Sequence, residues 1–160
     1  MTIEDDISFF ERVPTFNSLG RAALRIIAIG ADSRYVHNGD VLFSRGEPAD
    51  GGFVVQEGSF SLTGADPKDM IRVGPGTLIG ELALITETRR PVTAVALEPS
   101  TVLRIPRALF IKMLDGYPEA ARRLRELLAT RNILTTRDVA SIGEALDGME
   151  TPGAAQRRAE

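Results

Sequence analysis

The sequence predicts an α+β fold, an eight-stranded antiparallel β-barrel or jelly roll flanked by N-terminal helices and a long C-terminal helix. Short β-branched or aromatic runs, separated by Gly, Pro, Asn and Asp, fill residues 34–106, and helical periodicity precedes and follows them. The chain has 160 residues, 43% of them hydrophobic, which is enough for one core. We therefore expect one domain over residues 1–146, with N-terminal helices in 1–31, the barrel in 34–106 and C-terminal helices in 107–146. The remainder, 147–160, is rich in Gly, Ala and charge and is expected to be disordered.

Two short helices are expected before the strands. The first covers Ile7 to Arg12 and stops before Pro14, since proline disfavours helical backbone in the residue that precedes it. The second begins after Asn17 or Ser18, either of which can cap it, and Gly30 is placed to end it. Its apolar face is formed by Leu24, Ile27 and Ala28.

The strands are expected to be short and antiparallel, because turn signals such as Asn38-Gly39-Asp40 and Gly74-Pro75-Gly76 lie between them. The strand candidates are Arg34 to His37, Val41 to Ser44, Gly52 to Gln56, Ser59 to Thr63, Met70 to Val73, Thr77 to Ile79, Val92 to Leu97 and Thr101 to Ile105. Eight short strands within about 70 residues favour an antiparallel barrel or jelly roll.

Two helices are expected after the strands. The first runs from Arg107 to Leu114, and Pro118 suits the first position of a second, long helix that continues to about Leu146. The apolar stripe of the long helix comprises Leu124, Leu127, Leu128, Leu134, Val139 and Ile142. Such a stripe packs against the barrel or forms a dimer seam.

Composition excludes several classes of function. A formal net charge of -3 gives no basic field for nucleic acid or an anionic membrane, and the absence of cysteine excludes disulfides and thiolate chemistry. The apolar runs are too short to cross a bilayer and the acidic start does not resemble a signal peptide, so a cytoplasmic location is expected. His37 is the only histidine, and no nucleophile stands beside a base. We therefore predict no metal site, no catalytic residue and no enzymatic activity.

The stretch from Val73 to Ala96 combines glycines, the carboxylate Glu81 and the tandem pair Arg89 and Arg90. Glycine exposes backbone N–H groups, arginine offers a planar fork to phosphate, and a carboxylate accepts hydrogen bonds from hydroxyls. A phosphorylated sugar carries both kinds of group, so the stretch suggests a pocket for such an anion. The alternative is a turn between two strands whose charges are solvated.

The sequence G-E-L-A-L-I-T-E-T-R-R-P-V-T-A, from Gly80 to Ala94, resembles the phosphate-binding cassette of the cyclic nucleotide-binding domain family, of the catabolite-activator and protein kinase A regulatory-subunit kind. The family's glutamate and arginine fall on Glu81 and Arg90, nine positions apart. Hairpin signatures of the family's barrel are also present, in the order expected, at residues 38–43, 46–50, 54–58 and 74–76. The resemblance covers roughly residues 10 to 145.

The resemblance implies roles for the cassette residues. Glu81 would accept a hydrogen bond from the ribose 2′-hydroxyl, and Arg90 would pair with the cyclic phosphate. The backbone N–H groups after Gly80, at the start of a short helix over Glu81 to Leu84, would complete the anion cradle. Leu82 and Leu84 would contribute to an apolar wall. Arg89 would face solvent or make a second phosphate contact.

A gapless alignment onto the catabolite-activator branch places two purine-contacting helix residues on Thr135 and Thr136. Threonine hydroxyls can donate to and accept from a purine edge. The alternative is that both face solvent.

Pro91 and Val92 depart from the family pattern. The family usually has Ala, Ser or Thr after the cassette arginine, and its N–H donates to the phosphate, whereas Pro91 has no N–H. Losing a hydrogen bond to a charged group costs roughly 1.5–3 kcal/mol, about ten- to a hundredfold in affinity. Val92 adds bulk where the family has a small residue.

The resemblance therefore implies a cyclic nucleotide sensor, with cAMP favoured over cGMP as its ligand and no cofactor, which signals by repositioning its C-terminal helix. Its expected partners are the nucleotide, a second copy bound through that helix and an unidentified client protein. Direct DNA binding is not expected, because only about 15 residues follow the long helix and leave no room for a helix-turn-helix. Membrane binding is not expected either, because the net charge is negative and the apolar runs are short. The alternative is a binding-deficient domain that serves as a protein-interaction scaffold.

Overall fold

The computed structural model describes residues 2–130 of the chain. They divide into two compact units. One joins the residues up to Ile29 with those from Ala108 onward, and the other comprises Gly30–Arg107. The first is helical and the second consists mainly of β-strands.

The helices are α1 (Ile3–Glu11), α2 (Arg21–Gly30), α3 (Arg107–Gly116) and α4 (Pro118–Thr130). The prediction that the first helix begins at Ile7 is wrong, because a reciprocal cap at Thr2 starts it earlier. The Thr2 hydroxyl accepts from the Asp5 backbone N–H at 3.1 Å, and the Asp5 carboxylate accepts from the Thr2 N–H at 3.1 Å.

The second helix begins at Arg21, later than the predicted caps Asn17 and Ser18, because the residues before it form hydrogen-bonded turns. Its predicted apolar face is buried and its predicted end at Gly30 is confirmed. The fourth helix begins at Pro118 as predicted. Its expected continuation to Leu146 and the tail over 147–160 lie outside the described residues.

Aromatic side chains form the centre of the helical unit. The Phe10 and Phe16 rings meet edge-on at 5.6 Å, and the Phe16 ring stacks on Phe110 at 6.0 Å. Arg123 of α4 donates to the backbone carbonyls of Ser18 and Leu19, at 2.6 and 3.1 Å. The start of α4 is thereby tied to the turn that precedes α2.

The strands described in the second unit are β1 (Asp32–Val36), β2 (Val41–Phe43), β3 (Pro48–Ala49), β4 (Gly51–Glu57), β5 (Phe60–Thr63), β6 (Met70–Val73), β7 (Leu78–Ile79), β8 (Thr88–Arg89), β9 (Thr93–Ala96) and β10 (Ser100–Pro106). All of their pairings are antiparallel. They form two four-stranded sheets, ordered β1-β10-β4-β7 and β2-β9-β5-β6, and the two-stranded pair β3-β8. The mixed helical and antiparallel fold is confirmed as a jelly roll, but its sheets do not close into a barrel.

Each of the eight predicted strands is present with small shifts at its ends. Two further strands, β3 and β8, contain two residues each and pair with one another, Pro48 opposite Arg89 and Ala49 opposite Thr88. The first lies in the hairpin signature at residues 46–50 and the second lies in the cassette. Neither was predicted as a strand, because two residues are too few to show a periodic pattern. This pair determines where the cassette arginine lies.

The core of the strand unit is formed by side chains from both four-stranded sheets. Its buried members are Val36, Phe43, Phe53, Val55, Phe60, Ile79, Ala94, Ala96 and Val102. Across the second sheet Phe43 lies opposite Ala94, which lies opposite Leu62. These three residues therefore share the inward face of the sheet.

No helix within residues 2–130 is both long enough and apolar enough to cross a membrane.

Candidate functional site

The cassette begins with a tight turn at Gly80. Gly80 has φ 82° and ψ 39°, the left-handed region that glycine adopts at low cost, and it caps a 3-10 helix over Glu81–Leu84. The predicted short helix over these residues is thus present. Glu81 and Leu82 are half-buried and Leu84 is buried, so this turn presents a carboxylate beside apolar side chains.

The Arg90 backbone is fixed by the turn that precedes β3. The Arg90 N–H donates to the Glu47 carbonyl at 2.8 Å, and the Gly46 N–H donates to the Arg90 carbonyl at 2.8 Å. The neighbouring pair β3-β8 continues this ladder. These two hydrogen bonds fix the position of the Arg90 Cα atom, from which the side chain extends.

The Arg90 side chain turns into the unit and is only 5% exposed. Its guanidinium carbon lies 4.3 Å from the centre of the Phe43 ring and 5.5 Å from that of Phe53. The two rings are themselves stacked, 5.9 Å apart at 26°. The guanidinium therefore lies on an aromatic surface formed by β2 and β4.

Gly80 and Arg90, ten residues apart in sequence, meet in space. A methyl group placed on Gly80 would lie 2.5 Å from Arg90 Nη1, so a larger residue there would force this guanidinium to move. Nη1 is itself buried without a hydrogen-bond partner among the described residues. A cation with an unused donor thus lies directly beside the glycine turn.

Burial lowers the pKa of the Arg90 guanidinium from its usual value, because water no longer solvates the charge. The carboxylates Asp50 and Glu47 oppose that shift from a distance. Asp50 is already paired with Arg104 at 2.8 Å. Arginine stays protonated despite such a shift, so the site holds a buried positive charge for which residues 2–130 show no ion pair.

The residues after Arg90 lie at the edge of this site. Pro91 is exposed in a bend, and Val92 is partly buried and packs against the core cluster that contains Phe43. Because Pro91 has no N–H, it offers no backbone donor beside the guanidinium. Pro91, which departs from the family pattern, thus lies at the edge of the site around Arg90.

Arg89 points away from Arg90. It is exposed and donates from Nη1 to the Gly46 carbonyl at 2.8 Å. It lines a separate cleft of about 790 Å³ with Pro48, Ala49, Asp50, Glu87, Thr88 and Arg107. Arg107 donates to the Ala49 carbonyl there, and two carboxylates face the same space, so this cleft is poorly suited to an anion.

The structure places one predicted site residue, Gly80, directly against the Arg90 guanidinium. Glu81 and Leu82 lie in the 3-10 helix that follows Gly80, and Pro91 and Val92 follow Arg90 in sequence. Thr135 and Thr136 lie outside the described residues. Sequence reasoning did not find Phe43 and Phe53. The apolar runs V-L-F and G-F-V-V indicate that these rings are buried, yet nothing local indicates that they meet an arginine from a distant loop.

Comparison with known proteins identifies relatives of the whole strand unit. A sequence model of the cyclic nucleotide-binding domain matches residues 33–117. A cyclic nucleotide-gated potassium channel of Mesorhizobium japonicum is 35% identical over 119 residues, which cover 74% of this chain and 33% of the channel. The chain spans about a third of the length of the curated relatives it matches first.

Solved structures agree with this comparison. A cyclic nucleotide-binding-like protein from Brucella abortus is 34% identical with a TM-score of 0.61, and the alignment covers 69% of this chain and 98% of that one. The N-terminal domain of a transcriptional regulator from Streptomyces coelicolor is 31% identical with a TM-score of 0.70, covering 77% and 89%. The family model covers more than half of the chain and these structures share its jelly roll, so the chain belongs to the cyclic nucleotide-binding domain family.

Proposed function

We propose that this chain is a regulatory module that binds a cyclic nucleotide, with cAMP favoured over cGMP. The observation that carries the proposal is the buried Arg90 guanidinium, whose Nη1 has no partner among residues 2–130 and lies against Gly80. An anionic oxygen placed there would accept from Nη1 and from backbone N–H groups at the start of the 3-10 helix.

The proposed ligand contacts follow the geometry of the cassette. Arg90 pairs with the cyclic phosphate, Gly80 and the N–H groups that follow it complete the cradle, and Glu81 accepts from the ribose 2′-hydroxyl. Leu82, Pro91 and Val92 border the ligand, and Thr135 and Thr136 contact the purine. One buried cation suits a cyclic phosphodiester, which carries a single negative charge.

Regulation is proposed to operate through the C-terminal helix. A ligand can move that helix only to the extent that it binds one helix position more tightly than the other. A second copy of the chain or a client protein in the cytoplasm would receive this change. Domains of this family are generally regulatory rather than catalytic, and the relatives include a named cyclic nucleotide-gated channel and a transcriptional regulator.

Isothermal titration of the purified chain with cAMP and with cGMP tests the proposal. Heat that saturates with one site per chain, and that is lost on Arg90→Ala, is the expected result. The matched control is Arg89→Ala, which removes the neighbouring exposed arginine and leaves the affinity unchanged. No heat at millimolar nucleotide would overturn the proposal.

The second candidate is a scaffold that keeps the fold without binding the nucleotide. Pro91 favours it, because the proposed site then lacks one donor to the phosphate. A ligand present at a thousand times its dissociation constant adds about 4 kcal/mol to the free energy of unfolding. A melting temperature that does not respond to millimolar cAMP or cGMP would favour the scaffold.

A further inference from the structure

The Arg90 guanidinium lies over the faces of the Phe43 and Phe53 rings. The guanidinium carbon lies 4.3 Å from the Phe43 ring centre and 5.5 Å from the Phe53 ring centre, and the two ring centres are 5.9 Å apart, so the cation contacts both rings. The N–H groups of a guanidinium lie in its plane, whereas a ring attracts the cation across the face. An aromatic partner can therefore orient an arginine without using its hydrogen-bond donors.

Neighbouring arginines of the same unit are held in a different way. Arg104 donates to the Asp50 carboxylate at 2.8 Å, Arg89 to the Gly46 carbonyl at 2.8 Å, and Arg107 to the Ala49 carbonyl at 2.6 Å. Each donates to a protein oxygen through at least one terminal nitrogen, although Arg107 Nε is also buried without a partner among the described residues. Arg90 instead keeps Nη1 without a partner in the described chain, although the residue is only 5% exposed.

We propose that Phe43 and Phe53 are positioning residues, which hold the Arg90 guanidinium in place by its face so that its N–H edge stays available to an anionic ligand. This inference rests on the proposed function for the identity of that ligand. A carboxylate in place of the rings would compete with a phosphate for the same donors. The rings add attraction without such competition, and because Arg90 is only 5% exposed, solvent weakens that attraction less than it would at the surface.

Fluorinated phenylalanines at position 43 provide the sharpest test. Each fluorine withdraws negative charge from the ring face while the side chain keeps nearly the same size, so packing is retained and the attraction to the cation falls. We expect the cAMP dissociation constant to rise stepwise from phenylalanine to the monofluoro and trifluoro forms. A constant affinity across the series would overturn the proposal.

Truncation gives a second measurement. Phe43→Leu is expected to weaken cAMP binding by about three- to thirtyfold, the range of a buried cation–π contact. The matched control is Phe60→Leu, the same change at a fully buried ring of the same core cluster. An equal loss of affinity in both folded variants would show that Phe43 acts through packing alone.

A double-mutant cycle separates this inference from the proposed function. The cycle combines Phe43→Leu with Arg90→Met and measures urea unfolding without any nucleotide, so it does not depend on ligand binding. We expect the two changes to be coupled by about three- to thirtyfold in the unfolding equilibrium constant. If the two changes are coupled but the chain does not bind cAMP, the proposed function is rejected and the contact between Arg90 and Phe43 is retained. If the effects of the two changes are additive, the contact itself is rejected.

Discussion

Replacing Arg90 with methionine is expected to stabilise the protein in the absence of ligand and to abolish its affinity for a cyclic phosphate. Methionine can fill the space over Phe43 and carries neither the charge nor the Nη1 group that lies beside Gly80. The change therefore removes a buried charge while keeping most of the apolar packing.

The magnitude follows from two opposing contributions. A buried ion costs several kcal/mol even after the protein relaxes around it, and Arg90 is 5% exposed without an ion-pair partner among the described residues. The cation–π contacts return about 0.5–2 kcal/mol of that cost, and the distant carboxylates Asp50 and Glu47 return some more. The net expectation is a gain of about 1–3 kcal/mol in the free energy of unfolding. For a chain of this size the gain corresponds to a melting temperature roughly 2 to 12 °C higher.

Urea unfolding followed by circular dichroism, with and without saturating cAMP, measures both effects. The wild-type protein is expected to be stabilised by cAMP and the Arg90→Met variant to be insensitive to it. Arg89→Met, at the exposed neighbour, should change the unfolding free energy by no more than about 0.5 kcal/mol and keep the response to cAMP. A ligand-free Arg90→Met protein that is less stable than wild type by more than about 1 kcal/mol would refute the reasoning.

Gly80→Ala is expected to destabilise the fold by about 1–2 kcal/mol, because φ is positive there, and to weaken cAMP binding about tenfold or more, because the new methyl displaces Arg90 Nη1. An unchanged affinity in titration calorimetry would show that the close approach is unimportant. Pro91→Ala restores a backbone N–H at the rim and should strengthen cAMP binding by about ten- to a hundredfold in the same assay; a loss of affinity would contradict the assigned role. Burial raises the pKa of Asp6, whose Oδ1 is buried without a partner among residues 2–130, so its ionisation destabilises the folded state as pH rises above the unfolded pKa. Asp6→Asn should therefore stabilise the protein at pH 7, by a few tenths to about 1 kcal/mol, with the gain disappearing below about pH 4. Unfolding measured across that pH range tests the sign.

Elements that residue types and turn signals indicate locally could be predicted from the sequence, and the strand pair β3-β8 could not. The apolar face of α2 and the start of α4 at Pro118 follow from local residue types. The early start of α1 depends on the reciprocal cap between Thr2 and Asp5, whose three-residue spacing is a signal present in the sequence. By contrast, β3 and β8 exist only because they meet, and no local signal distinguishes two such residues from a turn.

The same distinction applies to the candidate site. Glu81 and Arg90 stand out as a carboxylate and an arginine at a recognisable spacing, and the turn at Gly80 follows from its motif. The surface beneath Arg90 could not be predicted, because Phe43 and Phe53 come from different strands and their separation from the guanidinium depends on how those strands associate. Sequence patterns therefore indicate which groups contact a ligand more readily than what holds those groups in place.

The charge balance of the proposed site explains how it can select a cyclic phosphate despite the loss at Pro91. A cyclic phosphodiester brings one negative charge, which Arg90 neutralises, whereas a nucleoside monophosphate brings between one and two at pH 7. The nearby arginines already use donors within the protein, since Arg104 is paired with Asp50 and Arg107 donates to the Ala49 carbonyl. Backbone N–H dipoles are the remaining means of stabilising extra charge, and Pro91 removes one of them. The missing donor therefore lowers the affinity for every phosphate, and it lowers the affinity for the more highly charged monophosphate most. Pro91→Ala should accordingly strengthen 5′-AMP binding by a larger factor than cAMP binding.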